Sequence, residues 1–130
     1  MNLGYVIVYV ENVADTLSFY ERCFGLVQRG KLDEGGQYGE METGTTRLAF
    51  ASEELAASNF DLPHHRNIRG GIPAGFELAL VTADVKGAFG RAVESGAMAL
   101  AEPKLKPWGQ EVAYVRDLNG VIVELASPMT

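Results

Sequence analysis

Sulfur chemistry is nearly absent from this 130-residue chain. It holds one cysteine, Cys23, so no internal disulfide can form and cysteine-rich zinc sites are excluded. With no histidine near it in sequence, Cys23 reads as a small apolar residue on a helix face rather than as a nucleophile. Histidine is as scarce, limited to the adjacent pair His64 and His65. Neighbours in an irregular segment point in different directions, and neither has metal-ligand spacing to another histidine, so both read first as solvated loop residues. Basic residues are few and scattered, 11 against 17 acidic ones, for a net charge of −6. Phosphate neutralisation needs a basic face, so nucleic acid is not an expected partner. No apolar run approaches the roughly 20 residues that span a bilayer, and no charged leader precedes a long apolar core. The expectation is a cytoplasmic protein without a membrane partner.

What is present is an ordinary globular composition, with 47% hydrophobic and 22% charged residues. A chain this long buries about two-thirds of its unfolded surface, enough for one domain without a staple. The opening run Leu3 to Val10 is rich in β-branched and aromatic residues and predicts a strand. The period then changes. Val13, Leu17, Tyr20 and Phe24 recur at helical spacing, with Asn12 as N-cap, Asp15 near the positive end of the dipole and Gly25 as the stop. Short strands follow at Leu26 to Gly30, Tyr38 to Glu42 and Thr46 to Ala51. Ser52 to Pro73 shows little strand pattern, and a loop of that length is usually functional or mobile.

From Gly75 the order repeats. Phe76 to Val81 predicts a strand, Ala83-Asp84 leads into a helix carrying Val85, Phe89, Ala92 and Val93, and Gly96 closes it. Strands at Met98 to Ala101, Val112 to Arg116 and Val121 to Ala126 complete the second half. Turns are expected at Pro107-Trp108-Gly109 and at Leu118-Asn119-Gly120, the latter a hairpin in which both Asn119 and Gly120 tolerate positive φ. Val6 to Val10 falls on Leu78 to Thr82, Val13 on Val85 and Leu17 on Phe89, while Ala51-Ser52 matches Ala126-Ser127. The repeat lies in the order of periods and breakers, not in matched letters. Module one covers about 3–52, a connecting loop about 53–73 and module two about 75–127.

Several blocks carry a resemblance. They are Thr16 to Tyr20 leading to Phe24-Gly25-Leu26, then Glu94-Ser95-Gly96-Ala97, Pro107-Trp108-Gly109, and above all Tyr114-Val115-Arg116-Asp117-Leu118-Asn119-Gly120-Val121-Ile122-Val123-Glu124-Leu125. Together they resemble the vicinal-oxygen-chelate superfamily, which includes glyoxalases, bleomycin-resistance proteins and extradiol dioxygenases. The resemblance implies an α+β fold of two βαβββ modules, forming a curved cup-shaped mixed sheet with helices on the outside. It also implies where a divalent metal would be held, at Tyr5, Ala49, Glu77 and Glu124. Tyr5 is a poor neutral ligand and Ala49 is none, which leaves Glu77 and Glu124 as the metal candidates. A catalytic centre needs about three protein ligands.

The expectation is therefore a metal-free member, closest in kind to the bleomycin-resistance-like branch. It would bind a small aromatic or cationic molecule, and the resemblance adds a homodimer. Tyr5, Phe50, Glu77, Trp108, Tyr114, Glu124 and His65 are the candidate ligand contacts. Trp108 offers a large stacking surface for a cation, and Glu77 with Glu124 favours a positive ligand. The rival expectation is an enzyme: a metal-dependent lyase, isomerase or dioxygenase, with one histidine of the His64-His65 pair completing a site with Glu77 and Glu124, or a metal-free catalyst with Glu124 as base.

Overall fold

Alternation of side chains along short strands sets the architecture. The structure, a computed structural model, describes residues 1–129 and divides into two units, residues 1–67 and the remainder from Ile68. The first unit runs β1 (Tyr5–Val10), α1 (Val13–Phe24), β2 (Gln28–Arg29), β3 (Tyr38–Met41), β4 (Arg47–Ser52) and a short helix α2 (Glu53–Ala57). The second runs β5 (Glu77–Val81), α3 (Val85–Glu94), β6 (Met98–Leu105), β7 (Glu111–Arg116) and β8 (Ile122–Ala126). Each unit thus carries one βαβββ module, and the fold class is α+β.

The sheets have the same order, β1-β4-β3-β2 and β5-β8-β7-β6. In each, the first strand lies parallel to the last and the other pairs are antiparallel. A parallel pair cannot be closed by a tight turn, and here the helix and two further strands supply the long connection. Register confirms the equivalence of the halves. Ile7 pairs with Ala49 and Ala79 with Glu124, so Tyr5 and Ala49 hold the places of Glu77 and Glu124.

One face of each sheet is covered by its helix. In the first unit Val8, Val10, Met41, Leu48 and Phe50 are buried there against Leu17 and Tyr20 of α1. Phe50 is fully buried, its ring 4.8 Å from that of Tyr20. A side chain at position 39 would collide with Leu17, so glycine there lets α1 approach β3. Helix α1 begins and ends as its sequence requires: Asn12 Oδ1 accepts from the Asp15 amide at 2.9 Å, and Gly25 takes φ 67°. In the second unit Ala113, Val115, Val123 and Leu125 are buried with Val85 and Ala92 of α3.

The structure differs from the sequence expectation at three places. β6 is longer than expected, reaching Leu105, with register shifts between Ala99 and Lys104 that accommodate Pro103 on an edge strand. The segment expected to be irregular opens with α2, capped by Ser52, whose Oγ accepts from the Leu55 amide at 3.0 Å. The β7–β8 turn has positive φ at Gly120 alone, at 81°. Asn119 is spared because the buried Asp117 closes the turn, its Oδ1 accepting from the amides of Asn119 at 2.8 Å and Val121 at 2.9 Å.

Truncating Phe50 removes a fully buried ring, whereas Trp108 is 61% exposed on the β6–β7 turn. Phe50→Ala should therefore cost about 3–5 kcal/mol in urea unfolding. Trp108→Ala should change stability by less than about 0.5 kcal/mol. Similar losses for the two would contradict the assignment of Phe50 to the helix-facing core.

Candidate functional site

The face of each sheet turned away from its helix carries the polar chemistry. In the second module that face presents Glu77 of β5, Glu124 of β8 and Tyr114 and Arg116 of β7. Tyr114 stands directly opposite Glu124, and Glu77 is its diagonal neighbour through the Ala79–Glu124 pair. The Tyr114 hydroxyl donates to Glu124 Oε1 at 3.3 Å, and the carboxyls of Glu77 and Glu124 are hydrogen-bonded to each other. Two carboxylates in hydrogen-bond contact cannot both stay ionised without cost, so one proton is held between them.

That hydrogen bond to Glu124, with local burial and the repulsion of a second negative charge, pushes the Glu77 carboxyl up to about 7. Burial and the same two carboxylates raise the Tyr114 phenol, which keeps it a donor. Arg116 shares this face but does not neutralise the acids. Its Nε donates to Gly120 O at 2.9 Å and its Nη2 to Gly71 O at 2.6 Å, so its charge is spent holding turns.

The first module has a different open face. Tyr5 and Ile7 are about half exposed, at 49% and 47%, above the small residues Ala49 and Ala51. The Arg47 guanidinium lies 5.9 Å from the centre of the Tyr5 ring. Tyr38 donates to Glu40 Oε2 at 2.7 Å, and burial first, then that bond, pushes its hydroxyl up to about 12. Arg29 Nε stands 3.6 Å from the other Glu40 oxygen.

The residues singled out from sequence thus separate. Glu77, Glu124 and Tyr114 are brought together in one cluster. Tyr5 stands on the open face of its own module. Phe50 does not belong with the ligand contacts, because strand alternation turns it into the core. Met41 is buried there with it. Trp108 is exposed and donates to Gln110 Oε1 at 2.9 Å. His65 is exposed, and its neighbour His64 is the engaged one, its Nε2 2.7 Å from Glu53 Oε1. Sequence reasoning passed over Glu53, although Ser52 followed by two glutamates is a helix-start signal. It also passed over Arg47 and Glu40, whose place on the open face needs the strand register.

A glyoxalase-like domain model matches residues 3–130. The chain belongs to the glyoxalase-like domain family. No curated protein matches it. Solved structures with the same fold include a glyoxalase-related enzyme from Fulvimarina pelagi, 18% identical with a TM-score of 0.82, covering 98% of this chain and 88% of that one. A glyoxalase/bleomycin resistance protein/dioxygenase family enzyme from Burkholderia phytofirmans is 16% identical, with a TM-score of 0.78 and 98% of each chain covered. TioX from Micromonospora sp. is 20% identical, with a TM-score of 0.72 and again 98% of each chain covered.

The resemblance implies positions at which a divalent metal would be held, so the donor set must be tested against one. On the open face of the second module the donors are two carboxyls and a phenol, with no imidazole or thiolate among them. A catalytic zinc or nickel centre takes about three imidazole, thiolate or carboxylate ligands, all deprotonated. This set does not fit. Among the described residues no group of three or more His, Cys, Asp or Glu is placed to hold a metal ion.

The shared proton has a spectroscopic signature. In carbon-13 NMR the Glu77 carboxyl should titrate near pH 7, and in Glu124→Gln it should return toward the ordinary carboxylate range. Because the folded-state value is raised, this group's stabilisation is complete below about pH 4.5 and declines as pH rises through about 7. A Glu77 resonance that titrates at the usual position in the parent protein would show that the carboxyls do not share a proton.

Proposed function

We propose that this glyoxalase-like protein binds a small organic molecule without a metal, and that the ligand presents a cationic or hydrogen-bond-donating group to Glu77 and Glu124. The observation that carries the reading is the pair of hydrogen-bonded carboxyls on an open sheet face, flanked by a tyrosine donor and by Arg116, which is bonded to backbone carbonyls instead. An approaching cation replaces the proton that now relieves the pair. Anions are repelled by the second carboxylate. The names of solved neighbours, two of which print the glyoxalase/bleomycin resistance protein/dioxygenase family or superfamily, support small-molecule recognition on this scaffold in general terms.

A second reading rests on the same proton. A carboxyl poised near pH 7 is suited to general acid–base transfer, because both protonation states are populated at working pH. That reading puts the moving proton on Glu77, with Glu124 holding it in place.

The two readings share a test in the pH dependence of binding. Ethidium, a planar aromatic cation, should bind about tenfold more tightly at pH 8 than at pH 6, as the Glu77 proton leaves. Calorimetry in buffers of different ionisation enthalpy should detect proton release near pH 6.5. Glu124→Gln should weaken binding at least tenfold and flatten the pH profile. Affinity indifferent to pH, or undiminished in Glu124→Gln, would overturn the binding reading.

A further inference from the structure

The first module contains a pocket that neither the carboxyl pair nor the open sheet face accounts for. It lies where the end of β1 meets α2 and the segment after it, and has a volume of about 370 Å³. Small-molecule sites begin at roughly 300 Å³. Its walls combine apolar and aromatic surface, from Tyr9, Phe60 and Leu62, with the polar groups of Glu53, His64 and Arg66.

Glu53 is the informative residue. Its side chain is only 12% exposed, although it sits at the start of a surface helix. One oxygen, Oε1, lies 2.7 Å from His64 Nε2 and 3.9 Å from Arg66 Nε. The other, Oε2, is buried and meets no hydrogen-bond donor. A buried carboxylate oxygen without a partner is costly and uncommon, and marks a place where a donor belongs. The His64 ring packs edge-on against Tyr9 at 5.1 Å between centroids, and Asn67 Nδ2 donates to Tyr9 O at 2.9 Å, tying the segment to β1.

We propose that this pocket is a second ligand site, taking a small organic amine or amidinium whose N–H group bonds Glu53 and whose apolar body lies against Tyr9, Phe60 and Leu62. Charge and shape act together: the carboxylate selects a donor-bearing cation, and the aromatic wall gives a flat or branched body something to cover. Entry requires a local shift of His64 or Arg66 at the carboxylate, and both are exposed residues. The site shares no residue with the Glu77–Glu124 cluster, so it stands or falls separately from the function proposed above.

Phenethylammonium and its neutral analogue 2-phenylethanol are suitable probes, read by nitrogen-15 amide shifts of the whole chain. The ammonium should produce saturable shifts in residues 53–66, with a Kd below about 10 mM, and the alcohol should bind at least tenfold more weakly. Glu53→Gln should lose most of that binding, as should Ala57→Phe, which fills the pocket. Glu77→Gln should leave it unchanged. Shifts confined to β5 and β8, and lost in Glu77→Gln, would place the amine at the other cluster and overturn this proposal while supporting the first. Equal binding of the alcohol, or no saturation, would overturn it as well.

Discussion

The interaction on which the rest depends is the parallel pairing of the first and last strand in each module. A parallel ladder keeps partnered residues on the same face. Once Ala79 is set against Glu124 and Ile7 against Ala49, every residue of those strands is assigned either to the helix or to the open side. A slip of one residue would exchange the two sets, burying Glu77 and Glu124 against α3 and exposing Val123 and Leu125. The apolar face therefore enforces the register, and the register delivers the carboxyls to each other. The acid pair is a consequence of core packing on the other side of the same strands.

The duplicated frame leaves room for divergence. Equivalent positions hold Tyr5 and Ala49 in one module and Glu77 and Glu124 in the other. Both positions lie on the sheet face turned away from the helix, although Ala49 is itself fully buried there. One module has thus acquired an aromatic surface over small residues, with Arg47 beside Tyr5. The other has acquired two acids that share a proton. The motif around the β7–β8 turn divides in the same way. Asp117 and Gly120 build the turn, one by accepting two backbone amides and the other by taking positive φ. Glu124, four residues later, is released for chemistry.

Much of this was legible in the residues. Change of period marked β1, α1, β5 and α3, because a two-residue and a 3.6-residue repeat cannot be confused over segments this long. Caps were legible because Asn12 and Gly25 act locally. Glu77, Glu124 and Tyr114 could be singled out through the resemblance, but their mutual hydrogen bonds could not, since these depend on a diagonal contact across strands far apart in sequence. The burial of Phe50 was hidden for the same reason: an aromatic in a strand faces one side or the other, and only register decides. Helix α2 was missed because a five-residue helix has no room for a period, leaving only its cap and acidic first turn as signals. With α2 went Glu53, and with Glu53 the reason His64 and not His65 is the engaged histidine.

The two acidic sites differ in how each relieves a carboxylate. Beside Glu77 and Glu124, Arg116 is committed to Gly71 and Gly120, and contact with Glu124 pushes the Glu77 carboxyl up to about 7. Glu53 has His64 and Arg66 beside one oxygen, yet its second oxygen is left without a donor. In the first case the missing partner is a charge, and pH controls access to it. In the second it is a hydrogen-bond donor of the right shape. A chain carrying 17 acidic residues against 11 basic ones cannot pair every carboxylate with its own cations. Most of the surplus is solvated at the surface, where it costs little. At these two sites the fold sets one carboxyl beside another or leaves a carboxylate oxygen without a donor, and there a ligand can supply what the chain does not.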